Sequence, residues 1–125
     1  VTWMAAAGIL GERIVPSLTA AAAAAGRPAP RVVAGLPVCI TTDPEGARQR
    51  AAQQFAMYGT LPAYRRLLDE AGVAGPEDVA VIGDEETVAK RIAELAGAGA
   101  TDFLAGPFGT GAERRHTVSR LHTLR

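Results

Sequence analysis

A chain of 125 residues with 48% hydrophobic and 21% charged side chains can form one folded core, and thirteen basic against thirteen acidic residues leave no net field to draw it to nucleic acid or an anionic membrane. The lone cysteine, Cys39, excludes an internal disulfide, and no apolar run reaches the roughly 18 residues of a membrane span. The sequence reads as a cytoplasmic globular protein. It shows no basic leader followed by a hydrophobic stretch, and it opens on VTWM, the end of a strand, so the chain is expected to begin mid-fold.

After the strand remnant at 1–4 come AAAGILG and a helix through IVPSLTAAAAAAG, with Pro16 in its first turn and Gly26 at its left-handed cap. The alanine run has high helix propensity and little bulk, which predicts a closely packed helix. RPAPR is a stiff connector. The run RVVAGLPVCIT at 31–41 is apolar with little alternation, as a strand buried on both faces requires; Pro37 cannot donate to a ladder and predicts a bulge or break.

In TTDPEGARQRAAQQFAMY, Asp43 as N-cap, Pro44 at the first helical position and Glu45 toward the dipole start a second helix. PAYRRLLDEAG forms a third, with Leu67 and Leu68 inward and Gly72 as its stop. GPEDVAVIG reads as a loop, Asp84 caps a helix whose Val88, Ile92 and Leu95 share one face, and a glycine turn leads into a strand at 101–106. AERRHTVSRLHTLR closes the chain as a helix with Val118 and Leu121 inward and its arginines mostly outward.

The order of strands and helices is α/β, and the strands at 31–41 and 101–106 are expected to be parallel neighbours joined by helical crossovers. A doubly wound sheet and a (β/α)8 barrel both remain open, although a barrel takes about 250 residues.

The strand end VTWM, the IVP helix start at 14–16, the strand in AGRPAPRVVAGLPV, the helix led by DPEGAR and the closing GDEETVAKRIAELAGAGATDFLAGPFG resemble the C-terminal third of bacterial luciferase-like flavin and deazaflavin oxidoreductases, most of all the class dependent on coenzyme F420. The resemblance implies a (β/α)8 TIM barrel of which residues 1–125 are the C-terminal portion, from the end of strand six to the last helix. It implies hydride transfer between the deazaflavin and an organic substrate, with an FMN-dependent monooxygenase as the runner-up and a non-catalytic relative or truncated gene product as the alternative from another class. Family members often carry a Gly-Pro-Arg/Lys-Thr turn after the Thr-Trp strand end; AAAGILG stands there instead, without the basic residue.

Barrel enzymes place their chemistry at the C-terminal ends of strands, so the resemblance puts Thr2, Trp3 and Met4, then Ile40 and Thr41, then Gly106, Pro107 and Phe108 around the pocket. Trp3 and Phe108 offer flat walls to a tricyclic ring or to an aromatic part of the substrate, against the plainer reading of aromatic core packing. Gly109, Thr110 and Gly111 precede a helix whose free N–H groups suit an anion, although such a stretch is also ordinary turn chemistry. His116 and His122 stand six apart with no acidic or cysteine partners at ligand spacing, so no metal is expected, and the catalytic residues are expected to lie upstream. Three strands cannot close an eight-stranded barrel. The chain is therefore expected to show apolar surface on its inner face and unpaired groups along the edge at 1–4, and to need upstream strands or a second copy before it binds deazaflavin or FMN firmly.

Overall fold

The computed structural model describes residues 1–124. Four strands make one sheet: β1 (Thr2–Trp3), β2 (Val33–Ile40), β3 (Val81–Gly83) and β4 (Asp102–Pro107). All three pairings run through β2 and all are parallel. The expected neighbour relation between the two long strands holds, with Val33 opposite Asp102 and Val38 opposite Pro107.

Backbone parity shows how three partners share two edges. The carbonyls of Val32 and Val38 accept from β4 and its flanks, whereas Gly35 accepts from the Met4 N–H and the Thr41 N–H donates to Gly83. Even-numbered residues of β2 therefore address β4, and odd-numbered ones address β1 and then β3 on the opposite edge. Pro37 is odd, and neither partner reaches it: β1 pairs as far as Gly35 and β3 begins opposite Val38. The expected break at Pro37 does not occur, because the donor that proline lacks would point into the gap between two short strands.

The alternation also separates two cores. Val32, Ala34, Leu36, Val38 and Ile40 are buried with Leu10, Leu68, Val88 and Leu95. These last come from the first helical run, from α4 (Pro62–Glu70) and from α5 (Glu85–Gly97). On the other face Cys39 packs with Ala47 and Ala51 of α3 (Pro44–Gln54) and with Phe108. The N-terminal half of that second face stays open, with Leu104 51% exposed. Burial on both faces is what the unbroken apolar run of β2 demands.

The first helical run is continuous: α1 (Ala7–Ile9), a π-helical segment (Leu10–Ile14) and α2 (Val15–Ala24). The Val15 N–H bonds to the Leu10 carbonyl, so the wide π turn ends immediately before Pro16 and absorbs the hydrogen bond that a proline inside a helix would break. Two sequence expectations fail here and at the other end of the chain. No residue of α2 is buried, so the alanine helix is not closely packed. Val118, on α6 (Gly111–Leu121), is 45% exposed and not inward. The segment read as a loop before Asp84 contains β3; three residues are too few to show a period, and the register against Val38 to Ile40 makes the strand. Asp43 and Asp84 cap α3 and α5 as expected, accepting from the Gly46 and Thr87 N–H groups at 3.1 and 2.8 Å.

Trp3 ties the strands together from above. A Cβ placed on Gly35 would lie 3.0 Å from its Cε3, and one on Gly106 2.8 Å from its Cη2, so the benzo edge of the indole rests on the backbones of β2 and β4. Such contact is possible only where both strands carry glycine. In urea unfolding, Gly106→Ala should cost about 1–3 kcal/mol by overpacking against the ring. In a Trp3→Leu background the same change should cost less than half as much; an equal cost in both backgrounds would remove the contact from the account.

Candidate functional site

Five aromatic rings run between the two cores: Trp3, Tyr58 and Tyr64 pack against the first, Phe108 lies in the second, and Phe55 touches both. Trp3 meets Phe55 and Tyr58 in steeply inclined, T-shaped pairs, with centroids 6.5 and 6.3 Å away. Phe55 in turn stands edge-on to Phe108 at 5.4 Å, and Tyr58 to Tyr64 at 4.8 Å. Phe55 ends α3 and Tyr58 lies in the 3-10 turn Ala56–Gly59, so the chain between β2 and β3 folds back over the ends of β1 and β4. Edge-to-face contacts of this kind set the positive rim of one ring on the negative face of the next.

The first strand carries signs of more than packing. Met4 is fully buried and holds φ at 65°, the left-handed region that a side chain with a Cβ rarely adopts. Beside it the Thr2 hydroxyl and the Trp3 indole N–H are buried with no hydrogen-bond partner among the described residues. An unpaired buried donor costs roughly 1–3 kcal/mol, and backbone strain adds to that. Three costs fall on three consecutive residues at a strand's C-terminal end.

A polar cluster adjoins the aromatic one at Phe108. Glu113 of α6 accepts from the Arg50 guanidinium at 2.6 Å, from the Thr110 N–H at 3.0 Å and from the Cys39 thiol at 3.7 Å. Partial burial works to raise this carboxyl, but the Thr110 N–H, the Arg50 guanidinium and the Thr41 hydroxyl outweigh it and hold Glu113 at about 2. Burial pushes the Cys39 thiol up to about 12, with the Glu113 charge adding to it, so Cys39 is a neutral thiol and no nucleophile. Thr117, the buried hydroxyl of α6, accepts from the Ile40 N–H at 3.0 Å where β4 no longer reaches β2.

The residues singled out in the sequence divide between these features. Thr2, Trp3 and Met4 lie together at the end of β1. Phe108 is only 3% exposed, turned into the second core as a rear wall. Thr41 serves the polar cluster, and its hydroxyl also accepts from the Asp43 N–H. Pro107 faces the other way, onto an open groove of about 620 Å3 that it lines with Gly111, Arg114, Arg115, Val118 and Ser119. Gly109 adopts φ 107° and leads into α6. There the Thr110 hydroxyl accepts from the Glu113 N–H at 3.1 Å while Glu113 accepts from Thr110, a reciprocal cap. An anion arriving at Gly109, Thr110 and Gly111 therefore meets two occupied donors and a carboxylate.

Sequence reading passed over Glu113, Arg50, Phe55 and Tyr58. The Thr110 to Glu113 spacing is a capping-box signature and was legible. Nothing in the sequence showed that α3 would bring Arg50 63 positions along the chain to Glu113, or Phe55 to Trp3.

Comparison with known proteins gives one result that bears on this site. Residues 1–102 match the family model described as luciferase-like monooxygenase, a span from β1 to the first residue of β4. No curated protein matches the chain.

The Glu113 geometry sets an acid limit. Its carboxyl titrates at 4.5 ordinarily and at about 2 in the fold, so its stabilisation is complete above about pH 4.5 and is lost as pH falls through about 2. Across that window the chain should lose up to about 3 kcal/mol more unfolding free energy than Glu113→Gln does, measured by urea titration at each pH. Parallel pH profiles for the two proteins would contradict the assignment.

Proposed function

Because the chain belongs to the luciferase-like monooxygenase family, whose oxidoreductases use flavin or deazaflavin cofactors, we propose that it serves hydride transfer between coenzyme F420 and an organic substrate. The observation that carries the reading is the end of β1. A left-handed Met4 beside two unpaired buried donors, Thr2 Oγ1 and Trp3 Nε1, at the C-terminal end of a parallel strand is strain kept where barrel enzymes keep their chemistry. The parallel α/β sheet, open beyond β1 and β4, fits part of a (β/α)8 barrel whose further strands come from upstream chain or from another copy. A cytoplasmic location accords with the unpaired thiol of Cys39. No helix among the described residues is long and apolar enough to cross a membrane.

The residues present fit the ring of such a cofactor better than its phosphate. Trp3, Phe55 and Tyr58 offer aromatic surface and an unpaired donor, whereas the start of α6 already holds the Glu113 carboxylate. A bound deazaflavin supplies a ring carbon that takes or gives a hydride. In this reading Trp3 orients the ring by contact and by its N–H, and Phe108 and Phe55 keep water from its rear. Glu113 and Arg50, joined to each other, hold α3 and α6 at the rim, and Thr41 fixes the Glu113 carboxylate. The family's description as monooxygenases favours FMN as the second reading.

Nitrogen-15 correlation NMR resolves these cases even for weak binding, because Trp3 is the only tryptophan and its indole N–H gives one signal. Added coenzyme F420 should shift that signal together with the amides of Met4, Thr41 and Phe108. Shifts with FMN but not F420 would transfer the reading to a flavin monooxygenase. Silence toward both would favour a non-catalytic relative.

A further inference from the structure

The two edges of the sheet are not alike. On one side the partners of β2 are only two and three residues long, and Ile82 of β3 and Ala80 before it share a groove with the charged Glu45, Arg48, Glu77 and Arg91. Short strands and charged side chains are how an edge is kept from pairing with another chain. The β4 side has neither. It is six residues long, and Phe103 to Pro107 carry no charge. The Asp102 and Phe108 N–H groups donate to the Val32 and Val38 carbonyls, so even-numbered residues of β4 bond to β2, and the odd-numbered Phe103 and Ala105 turn their N–H and C=O groups to the free edge. Phe103 and Ala105 pack on the first core, which leaves Leu104, 51% exposed, on the open second face. Pro107 ends the edge, having no N–H to offer it.

We propose that this edge joins a second copy of the chain, β4 against β4, about a two-fold axis at Leu104. Two-fold symmetry makes the joint antiparallel, and one register uses both outward residues. Centred on Leu104, Phe103 of each copy opposes Ala105 of the other, and each pair exchanges both of its backbone hydrogen bonds. Centred on Phe103, Ala105 would meet Thr101, whose N–H already donates to the Val32 carbonyl. Centred on Ala105, Phe103 would meet the silent Pro107 nitrogen. Only the Leu104 register brings the two exposed leucines together over the second face.

Charge agrees with this register. It sets Pro107 opposite Thr101 of the other copy, next to Asp102, whose side chain is 33% exposed. Arg114 and Arg115 line the groove beside Pro107 and belong to no ion pair among the described residues, so the joint carries two unpaired cations toward that carboxylate. The second copy extends the sheet and does not close a barrel, whose strands are parallel. The proposal goes beyond the oxidoreductase reading and is independent of it, because β1 and β4 bond to opposite edges of β2.

Light scattering after size exclusion of the whole chain should show a dimer in exchange with monomer across the micromolar range, as a short joint implies. Leu104→Cys tests the register. Its two copies form a non-hydrogen-bonded pair with Cα atoms about 4.5 Å apart, within disulfide reach, so mild oxidation should cross-link nearly all of the chain. Val118→Cys is the control. Val118 is 45% exposed but lies beside Pro107, and the two Pro107 residues stand about 20 Å apart along the strands, so this variant should stay uncross-linked. Leu104→Lys sets like charges face to face and should weaken the dimer at least about tenfold, while an unmoved Trp3 indole NMR signal shows that the fold is intact. A monomer throughout that range, open-ended aggregates, equal cross-linking of the two cysteine variants, or a dimer untouched by Leu104→Lys would overturn the proposal. None of these results bears on cofactor binding at the end of β1, and a failure of cofactor binding leaves the joint standing.

Discussion

The contact on which the molecule turns is the Trp3 indole laid across Gly35 and Gly106. It spans three strands, and its geometry requires that two of them present bare backbone to the ring. Because β1 is only two residues long and pairs with β2 through Ala34 and Gly35 alone, hydrogen bonds by themselves hold it weakly. The ring supplies the remaining anchorage and places the strained Met4 and the unpaired donors of Thr2 and Trp3 where the aromatic segment after α3 can cover them.

Around that contact β2 acts as the spine, bonded on both edges and buried on both faces. The two faces differ in purpose. One is closed by helices and long aliphatic side chains, as stability requires. The other is closed only toward the strands' C-terminal ends, by α3, Phe55, Phe108 and the Arg50–Glu113 pair, and it is open at Leu104. Pro37 shows the constraint at a single position. A residue that forbids a central strand is accepted because its silent nitrogen falls between two partners, so the proline also marks where β1 gives way to β3.

Much of this was legible in the sequence for local reasons. The apolar run at 31–41, the caps at Asp43 and Asp84 and the apolar face of α5 each depend on residues close in the chain. The strand-end triad Thr2, Trp3 and Met4 came from family resemblance; what the structure adds there is a left-handed Met4 and unpaired donors on Thr2 and Trp3. What escaped was set by distant partners. Pro37 is harmless only because of strands elsewhere, β3 is a strand only because β2 offers it an edge, and α2 is exposed although its alanines suit close packing. Glu113 was visible as a cap, but its second task, pairing with Arg50 beside a neutral Cys39, depends on the fold.

The site thus joins an aromatic wall with an unused donor to a neutralised polar rim, an arrangement suited to orienting a flat ligand and poorly suited to nucleophilic attack. All of it presupposes that the indole lies where the two glycines admit it. Nuclear Overhauser spectroscopy on the isotope-labelled chain reads this directly. Cross-peaks should join the Trp3 benzo-ring protons to the α-protons of both Gly35 and Gly106, and the indole N–H should exchange slowly with deuterium. An indole with neither cross-peak and with rapid exchange would place Trp3 in solvent and contradict the account at its base.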